Sequence, residues 1–495
     1  MQLKRLYIKE YKILKDFTLE FPYDSKKYIS VFIGANGSGK STVLEAVAEI
    51  FNCVFLFKQS PFDFEIEYSI KSDDILSVFS ISNPKLKRLP IKITGDSGYL
   101  PRTEIDFKSI PKEIFEYGDT DIKLSFAQRD FRNLMPENVV IYYSGLSDIM
   151  KELCKPYEDR LSEAYRKGNA NIDRGFFYYK PEHFGIILLS LLSFEYGDIP
   201  EFLKRKAKIE DIESVQIHLK KPGWTRDSIE NFWGAEGEVR RFLDFLREQS
   251  KTDKSIGIKT GKGEKIAISL KGKESLYKIR DFLIEEKKLF EILNIMLADG
   301  LLDNISFSMV KMSDGKPQVF SILSEGEQQA ITIKGLTELL SGKNTLFLFD
   351  EPDTYLHPKW QRQFIAEIEK TIENANEAEN SYVIATHSPQ LLSNAKSDLN
   401  FVKIIENGVL IENTPKFYGR EISSILYNLM GVEERNKTIR NDLSNLFTLI
   451  EDEEIEEAEK ELKRLTEILG ETDPDIKNIE IQLNYLKEDE ADNKE

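Results

Sequence analysis

The chain has 495 residues, 41% hydrophobic and 31% charged, with a formal net charge of −17, which is enough sequence for two or three structural units around a buried core. No stretch reaches the roughly 20 uninterrupted apolar residues that a membrane-spanning helix needs, and Met1-Gln2-Leu3-Lys4 runs directly into a strand pattern without room for a signal peptide, so a cytoplasmic location without a membrane partner is expected. Two cysteines, Cys53 and Cys154, exclude a disulfide framework and a four-cysteine zinc site.

Leu3, Leu6 and Ile8 alternate with polar residues, as do Leu14, Phe17, Leu19 and Phe21, which predicts two strands. Tyr28 to Ile33 is almost wholly apolar, as in a strand buried on both faces, and a helix is predicted from Ser41 to about Phe51. Residues 62–145 read as further strands ending in Val139-Val140-Ile141-Tyr142-Tyr143. From about Leu146 to Leu302 the pattern is mostly helical, with polar, glycine-bearing interruptions at 222–237 and 252–263. Strand patterns return at 305–310 and 318–322, followed by a helix from about Glu327 to Leu340 and buried strands at Leu346–Phe349 and Val383–Ala385. The region from Arg420 onward is helical and charged, without heptads.

Gly34-Ala35-Asn36-Gly37-Ser38-Gly39-Lys40-Ser41 fits GxxxxGK[ST] between a predicted strand and a predicted helix. Its glycines let successive N–H groups turn inward around phosphate oxygens, and the helix that continues through Thr42 presents its positive end. Lys40 is expected to reach the β- and γ-phosphates of ATP, and Ser41 to ligate Mg²⁺. Asp350 ends the strand at 346–349, where a carboxylate can hold the same Mg²⁺, and Glu351 beside it is placed to polarise the attacking water. Ser324 and Glu327 in Leu323-Ser324-Glu325-Gly326-Glu327-Gln328-Gln329 have the spacing of a capping box, and Gly326 permits close backbone approach. His387 follows a buried strand in Ala385-Thr386-His387-Ser388-Pro389.

In this order and spacing the motifs resemble those of ABC-type ATPases. The resemblance implies that Ser324, Gly326 and Glu327 form a signature acting on nucleotide held by a second subunit, and that His387 is a switch histidine sensing the γ-phosphate. It also implies that Asp353 lies in a segment touching the facing subunit, and that a glutamine couples the two lobes; Gln128 is the candidate. Lys40 and Ser324 are 284 positions apart, too far for the compact insert of a transporter head. Glu351-Pro352-Asp353-Thr354-Tyr355-Leu356-His357-Pro358-Lys359-Trp360 instead looks like the corresponding run of overcoming-lysogenisation-defect and RecF-like ATPases. The absence of heptads and of a Cys-x-x-Cys fits SMC and Rad50 arms badly. After His387 come 108 residues in which no Toprim core and no further histidine is read. Gly419-Arg420-Glu421-Ile422-Ser423-Ser424-Ile425-Leu426, Met430-Gly431-Val432 and Gly470-Glu471-Thr472-Asp473-Pro474 resemble the tail of stand-alone defence ATPases, most nearly the Septu ATPase subunits, which work with a separate HNH nuclease.

The fold expected is α/β: an ABC-type P-loop NTPase head assembled from both chain ends, with a mostly helical insert and a helical tail. Its divisions are an N-terminal lobe at 1–145, the insert at 146–302, a C-terminal lobe at 303–413 and an acidic tail at 414–495. Residues 451–495 hold 18 Asp/Glu against 6 Lys/Arg, whereas residues 201–280 hold 19 Lys/Arg against 13 Asp/Glu. The run Lys204-Arg205-Lys206-Ala207-Lys208 and the Lys251–Lys273 region either line a DNA channel or form an ordinary solvated face. The partners expected are a second head, as a homodimer or larger even-numbered oligomer, an HNH nuclease and DNA. Three functions fit: a regulatory ATPase of an antiphage system, a RecF-like repair ATPase, or a nucleotide switch with little turnover.

Overall fold

The computed structural model describes residues 1–22, 27–56, 59–72, 75–82, 92–97, 100–105, 135–145, 147–166, 175–194, 197–225, 227–261, 264–313, 316–342, 344–374, 380–396, 400–412, 417–420, 435–452 and 454–492. They divide into one unit at Met1–Arg420 and a second at Glu421–Glu495, a boundary slightly beyond the 414 read from sequence.

In the first unit a seven-stranded sheet runs in the order β18 (Val409–Ile411), β17 (Asn400–Glu406), β3 (Ile29–Ile33), β16 (Ser381–Thr386), β15 (Thr345–Asp350), β8 (Asn138–Tyr143), β9 (Phe176–Tyr178). All its pairings are parallel except that of β17 with β18. Every residue of β3, β15 and β16 is buried, which explains their unbroken apolar runs. Helix α1 (Lys40–Leu56) packs on this sheet, with Val43, Leu44, Val47 and Phe51 buried in the shared core. A second, antiparallel sheet orders β2 (Leu14–Glu20), β1 (Gln2–Tyr11), β4 (Phe64–Ser72), β5 (Ile75–Ser82), β6 (Lys92–Ser97) and β7 (Leu100–Ile105).

Residues 146–302 contain helices α2 (Ile149–Arg166), α3 (His183–Leu192), α4 (Ile199–Ala207), α5 (Gly237–Thr252), α6 (Gly272–Leu283) and α7 (Glu286–Ala298). They are not only helical. Strand β10 (Ile209–Lys220) pairs with β12 (Lys265–Lys271) and β13 (Leu302–Ser313), flanked by β11 (Ile256–Gly261) and β14 (Lys316–Phe320), in a five-stranded antiparallel sheet. Ile212, Val215, Ile217 and Leu219 are buried on it, with a register shift between Ile212 and Ser214; the period-two signal from Val215 to Leu219, lying between charged helical patterns, escaped the sequence reading. Strand β9, from the same stretch, closes one edge of the seven-stranded sheet. Helices α8 (Glu325–Leu339) and α9 (Pro358–Asn374) complete the unit. The second unit holds α10 (Lys437–Glu451), α11 (Ile455–Leu469) and α12 (Pro474–Asp492), which share a core of Leu443, Leu446, Ala458, Leu465, Ile476, Ile479 and Leu483. Among the described residues no helix is long and apolar enough to cross a membrane.

Candidate active site

Parallel pairing fixes where chemistry can gather. Strands β3, β16 and β15 are neighbours, and their carboxyl ends share one edge, the edge on which open α/β sheets receive ligands. Ile33 lies beside Thr386, and Ala385 beside Asp350. The glycine loop, His387 and the acidic pair therefore leave three adjacent strands spaced roughly 5 Å apart.

The loop needs its glycines. Gly37 and Gly39 hold left-handed backbone at φ +77° and +108°, and a Cβ on Gly34 would lie 2.3 Å from the carbonyl oxygen of Ile405. Gly408 N–H donates to Ser38 O at 2.7 Å, so the β17–β18 turn buttresses the loop. That turn went unnoticed in the sequence, although Asn407-Gly408 between Ile405 and Val409 is a hairpin signal, and both residues have positive φ. Asn36 is exposed, whereas Ser41 and Thr42 are half-buried at the start of α1. Buried Lys40 donates through Nζ to Gly34 O and Ala35 O, each at 2.9 Å. Burial lowers its pKa, against the pull of Glu351 and Asp350. Ser38 Oγ is buried without a hydrogen-bond partner, a polar atom left for something the loop holds.

Ser41 Oγ donates to Asp350 Oδ1 at 2.9 Å. Burial pushes the Asp350 carboxyl up to about 7, with Glu351 adding to the shift and the Ser41 and Lys40 interactions opposing it. Glu351 has left-handed backbone (φ +48°), strained for a non-glycine residue, and is pinned by its N–H donating to Ala385 O at 2.8 Å. Its Oε1 lies 2.9 Å from Nδ1 of exposed His387. The donor set at Ser41 and Asp350 is oxygen-only and includes a buried carboxylate, which fits Mg²⁺. Among the described residues no group of three or more His, Cys, Asp or Glu could hold a metal ion, so such an ion would take its remaining ligands from phosphate and water.

The residues expected to form a signature lie at the start of α8. Ser324 caps α8 in a complete capping box: Glu327 N–H donates to Ser324 Oγ, and Ser324 N–H to Glu327 Oε2 at 2.8 Å. Lys311 Nζ donates to Glu327 Oε1 at 2.7 Å; burial raises the Glu327 pKa, but the Lys311 and Ser324 bonds outweigh it and the net shift is downward. Gly326 is needed within its own head, because a Cβ there would lie 2.8 Å from Tyr355 O. The Asp353 carboxyl is buried, accepting from Thr386 Oγ1 at 2.9 Å, while Thr354 and Tyr355 beside it are exposed. Gln128 lies outside the described residues. His357 Nδ1 accepts from Lys359 N–H at 3.2 Å, a contact internal to its turn.

A parallel sheet edge carrying a glycine phosphate loop, an acidic strand end and a following histidine defines an ATPase head of the P-loop NTPase class. Residues 29–393 match the family described as "AAA domain, putative AbiEii toxin, Type IV TA system", and the chain belongs to that family of ATPases. It is similar to a "Retron Vc95 probable ATPase" of Vibrio cholerae serotype O1 biovar El Tor, 23% identical over 86% of this chain and 78% of the relative. It is also similar to a "Retron Ec83 probable ATPase" of Escherichia coli, 26% identical over 27% of this chain and 23% of the relative. Among solved structures, the "SMC head domain from Thermotoga maritima" overlaps 84% of this chain and 100% of its own at 13% identity and TM-score 0.31. An ATP-binding cassette of an ABC transporter, MJ1267, overlaps 87% of this chain and 95% of its own at 11% identity and TM-score 0.28.

Proposed function

We propose that this chain is the regulatory ATPase of an antiphage system, in which two heads sandwich two molecules of ATP and their nucleotide state controls a separate DNA-cutting nuclease of the HNH type. The observation that carries the reading is the convergence of Lys40, Ser41, Asp350, Glu351 and His387 on one sheet edge. In catalysis Lys40 Nζ exchanges the carbonyls of Gly34 and Ala35 for β- and γ-phosphate oxygens, and the loop N–H groups hold the rest of the phosphate chain. Ser41 and Asp350 would hold Mg²⁺, which would supply charge stabilisation to the phosphate oxygens. Glu351 accepts the proton of the attacking water, and His387, hydrogen-bonded to it, fixes its orientation and faces the γ-phosphate. Ser324 and Gly326 at the positive end of α8 close over the γ-phosphate of the facing head.

Antiphage control is supported by the family's toxin–antitoxin description, by the retron ATPases the chain is similar to, and by the likeness of its motifs to Septu ATPase subunits. The second unit is the dock we assign to the nuclease, since its acidic helices repel DNA and attract a basic protein. Phage plating of cells carrying the chain with its nuclease tests the proposal. Lys40→Ala and removal of residues 421–495 should each abolish protection, and the truncated protein should still hydrolyse ATP. Full protection by Lys40→Ala would refute nucleotide control, and capture of the nuclease by the truncated chain would refute the dock.

A further inference from the structure

The face around the N-terminus of α8 carries exposed apolar side chains: Ile322 is 81% exposed, Val319 58% and Tyr355 49%. Ile322 leads into Ser324, whereas Tyr355 belongs to the segment after the acidic pair. Gln329 ties the Tyr355 segment to α8. Its buried side chain accepts the Tyr355 N–H on Oε1 at 2.9 Å and donates from Nε2 to Tyr142 Oη at 3.1 Å. Gly326, one turn earlier on α8, packs against the same Tyr355 through its bare Cα, with no room for a Cβ. Beyond Tyr355 the bonds continue. Gln361 Nε2 donates to Asp353 O at 2.9 Å, Thr386 Oγ1 donates to Asp353 Oδ1 at 2.9 Å, and Ser388 Oγ donates to Gln361 Oε1 at 3.3 Å. Thr386 and Ser388 flank His387.

We propose that Gln329 is a positioning residue that locks the start of α8 to the Asp353–Leu356 segment, so that the surface offered to a second head follows the strand end bearing His387. The site requires one acceptor and one donor at opposite ends of a buried planar amide, and both are used. An apolar replacement leaves the Tyr355 N–H and Tyr142 hydroxyl without this partner, and the two segments lose their common register. The proposal rests on the paired-head reading given above.

The test uses the full chain. Gln329→Leu should leave the affinity for a fluorescent ATP analogue within about twofold while lowering kcat by about tenfold or more. In a Glu351→Gln background it should abolish MgATP-dependent pairing measured by sedimentation. Gln329→Glu, which accepts from both Tyr355 N–H and Tyr142 O–H, should recover most of the rate. Gln329→Met, which keeps volume without the bonds, should not; recovery by Met and not by Glu would overturn the proposal in favour of simple packing. If Gln329→Leu does not fold, Tyr142→Phe decides: a fall in kcat of about threefold at unchanged affinity supports the proposal, and an unchanged kcat overturns it. A Glu351→Gln parent that fails to pair in MgATP overturns the paired-head reading and this proposal with it. A parent that pairs, and pairs equally well after Gln329→Leu, overturns the proposal alone.

Discussion

The edge of the seven-stranded sheet and the five-stranded sheet both concentrate charge, but in opposite ways. At the first, charges crowd without full compensation: Lys40 sits on two neutral carbonyls, and Asp350 is buried next to a second carboxylate on strained backbone. On the strands of the second, and on α4, α5 and α6 beside it, basic side chains meet carboxylates. Lys204 pairs with Glu210, Arg205 with Glu367, Lys251 with Glu248, Lys273 with Asp211, Lys278 with Asp253, and Lys220 and Lys265 share Asp303. Many of the basic side chains counted over residues 201–280 thus stand beside a carboxylate, and two of those carboxylates, Glu367 and Asp303, lie outside that stretch. Uncompensated charge marks the place built to receive a ligand, and compensated charge marks scaffold.

If that contrast holds, substitutions at the first site should act on chemistry far more than on folding. Glu351→Gln should bind MgATP normally and lower kcat by about 10²–10⁴-fold, as loss of a general base does; single-turnover hydrolysis measures it, and a kcat within tenfold of the parent would remove Glu351 from that role. The composite site gives the next effect. Ser324→Arg and Lys40→Ala should each be inactive, yet a mixed dimer retains one intact pairing of loop and signature, so mixing should restore up to about a quarter of the activity if subunits exchange at random. Verified mixed dimers without activity would mean that one head hydrolyses ATP alone. Gly408→Ala should be milder: its new Cβ would meet Ile13 O at 2.5 Å and push the β17–β18 turn off Ser38. ATP affinity should fall by about tenfold with kcat less affected, and titration of both proteins with an ATP analogue separates the two.

The active edge was legible because its residue types are forced. Only glycines take the backbone of the loop at Gly37 and Gly39, only fully buried strands read as Leu346–Phe349, and Asp350 and His387 follow such strands directly. Contacts between distant segments carry no such imprint. Gln329 is one more amide on a helix, and its bond to Tyr355 exists only once α8 packs beside that segment. Strands β13 and β14 of the five-stranded sheet were read, but β10, β11 and β12 were missed for a related reason, since β10 alternates only from Val215 to Leu219 and its partners on β13 lie about a hundred residues away, beyond any local window. The charge count over 201–280 left a DNA channel and a solvated face both open, and it could not register that carboxylates outside it, such as Glu367 and Asp303, stand beside its basic side chains.

The smallest expected effect tests the scaffold side of the contrast most directly. Lys220 and Lys265 lie opposite each other in register on β10 and β12, an arrangement of like charges that repels. Asp303, on neighbouring β13, resolves it by accepting from Lys220 on Oδ1 and from Lys265 on Oδ2, each at 3.0 Å. Those two bonds hold its carboxyl below the usual aspartate value. Because the folded-state pKa is depressed, the resulting stability is fully present above the unfolded-state pKa near 4 and is lost as pH falls through the lower folded value. Asp303→Asn should therefore cost roughly 1 kcal/mol at neutral pH, discounted for the partial exposure of both lysines. The parent and the variant should converge in stability as pH falls below about 4. The same substitution frees two cations, so binding to non-specific duplex DNA should rise slightly and its salt dependence steepen by up to about two phosphate contacts. Urea unfolding across pH and a salt titration of DNA binding read both effects. A variant as stable as the parent at pH 7, with an unchanged salt slope, would mean that these lysines were never neutralised and that the five-stranded sheet carries a free basic face after all.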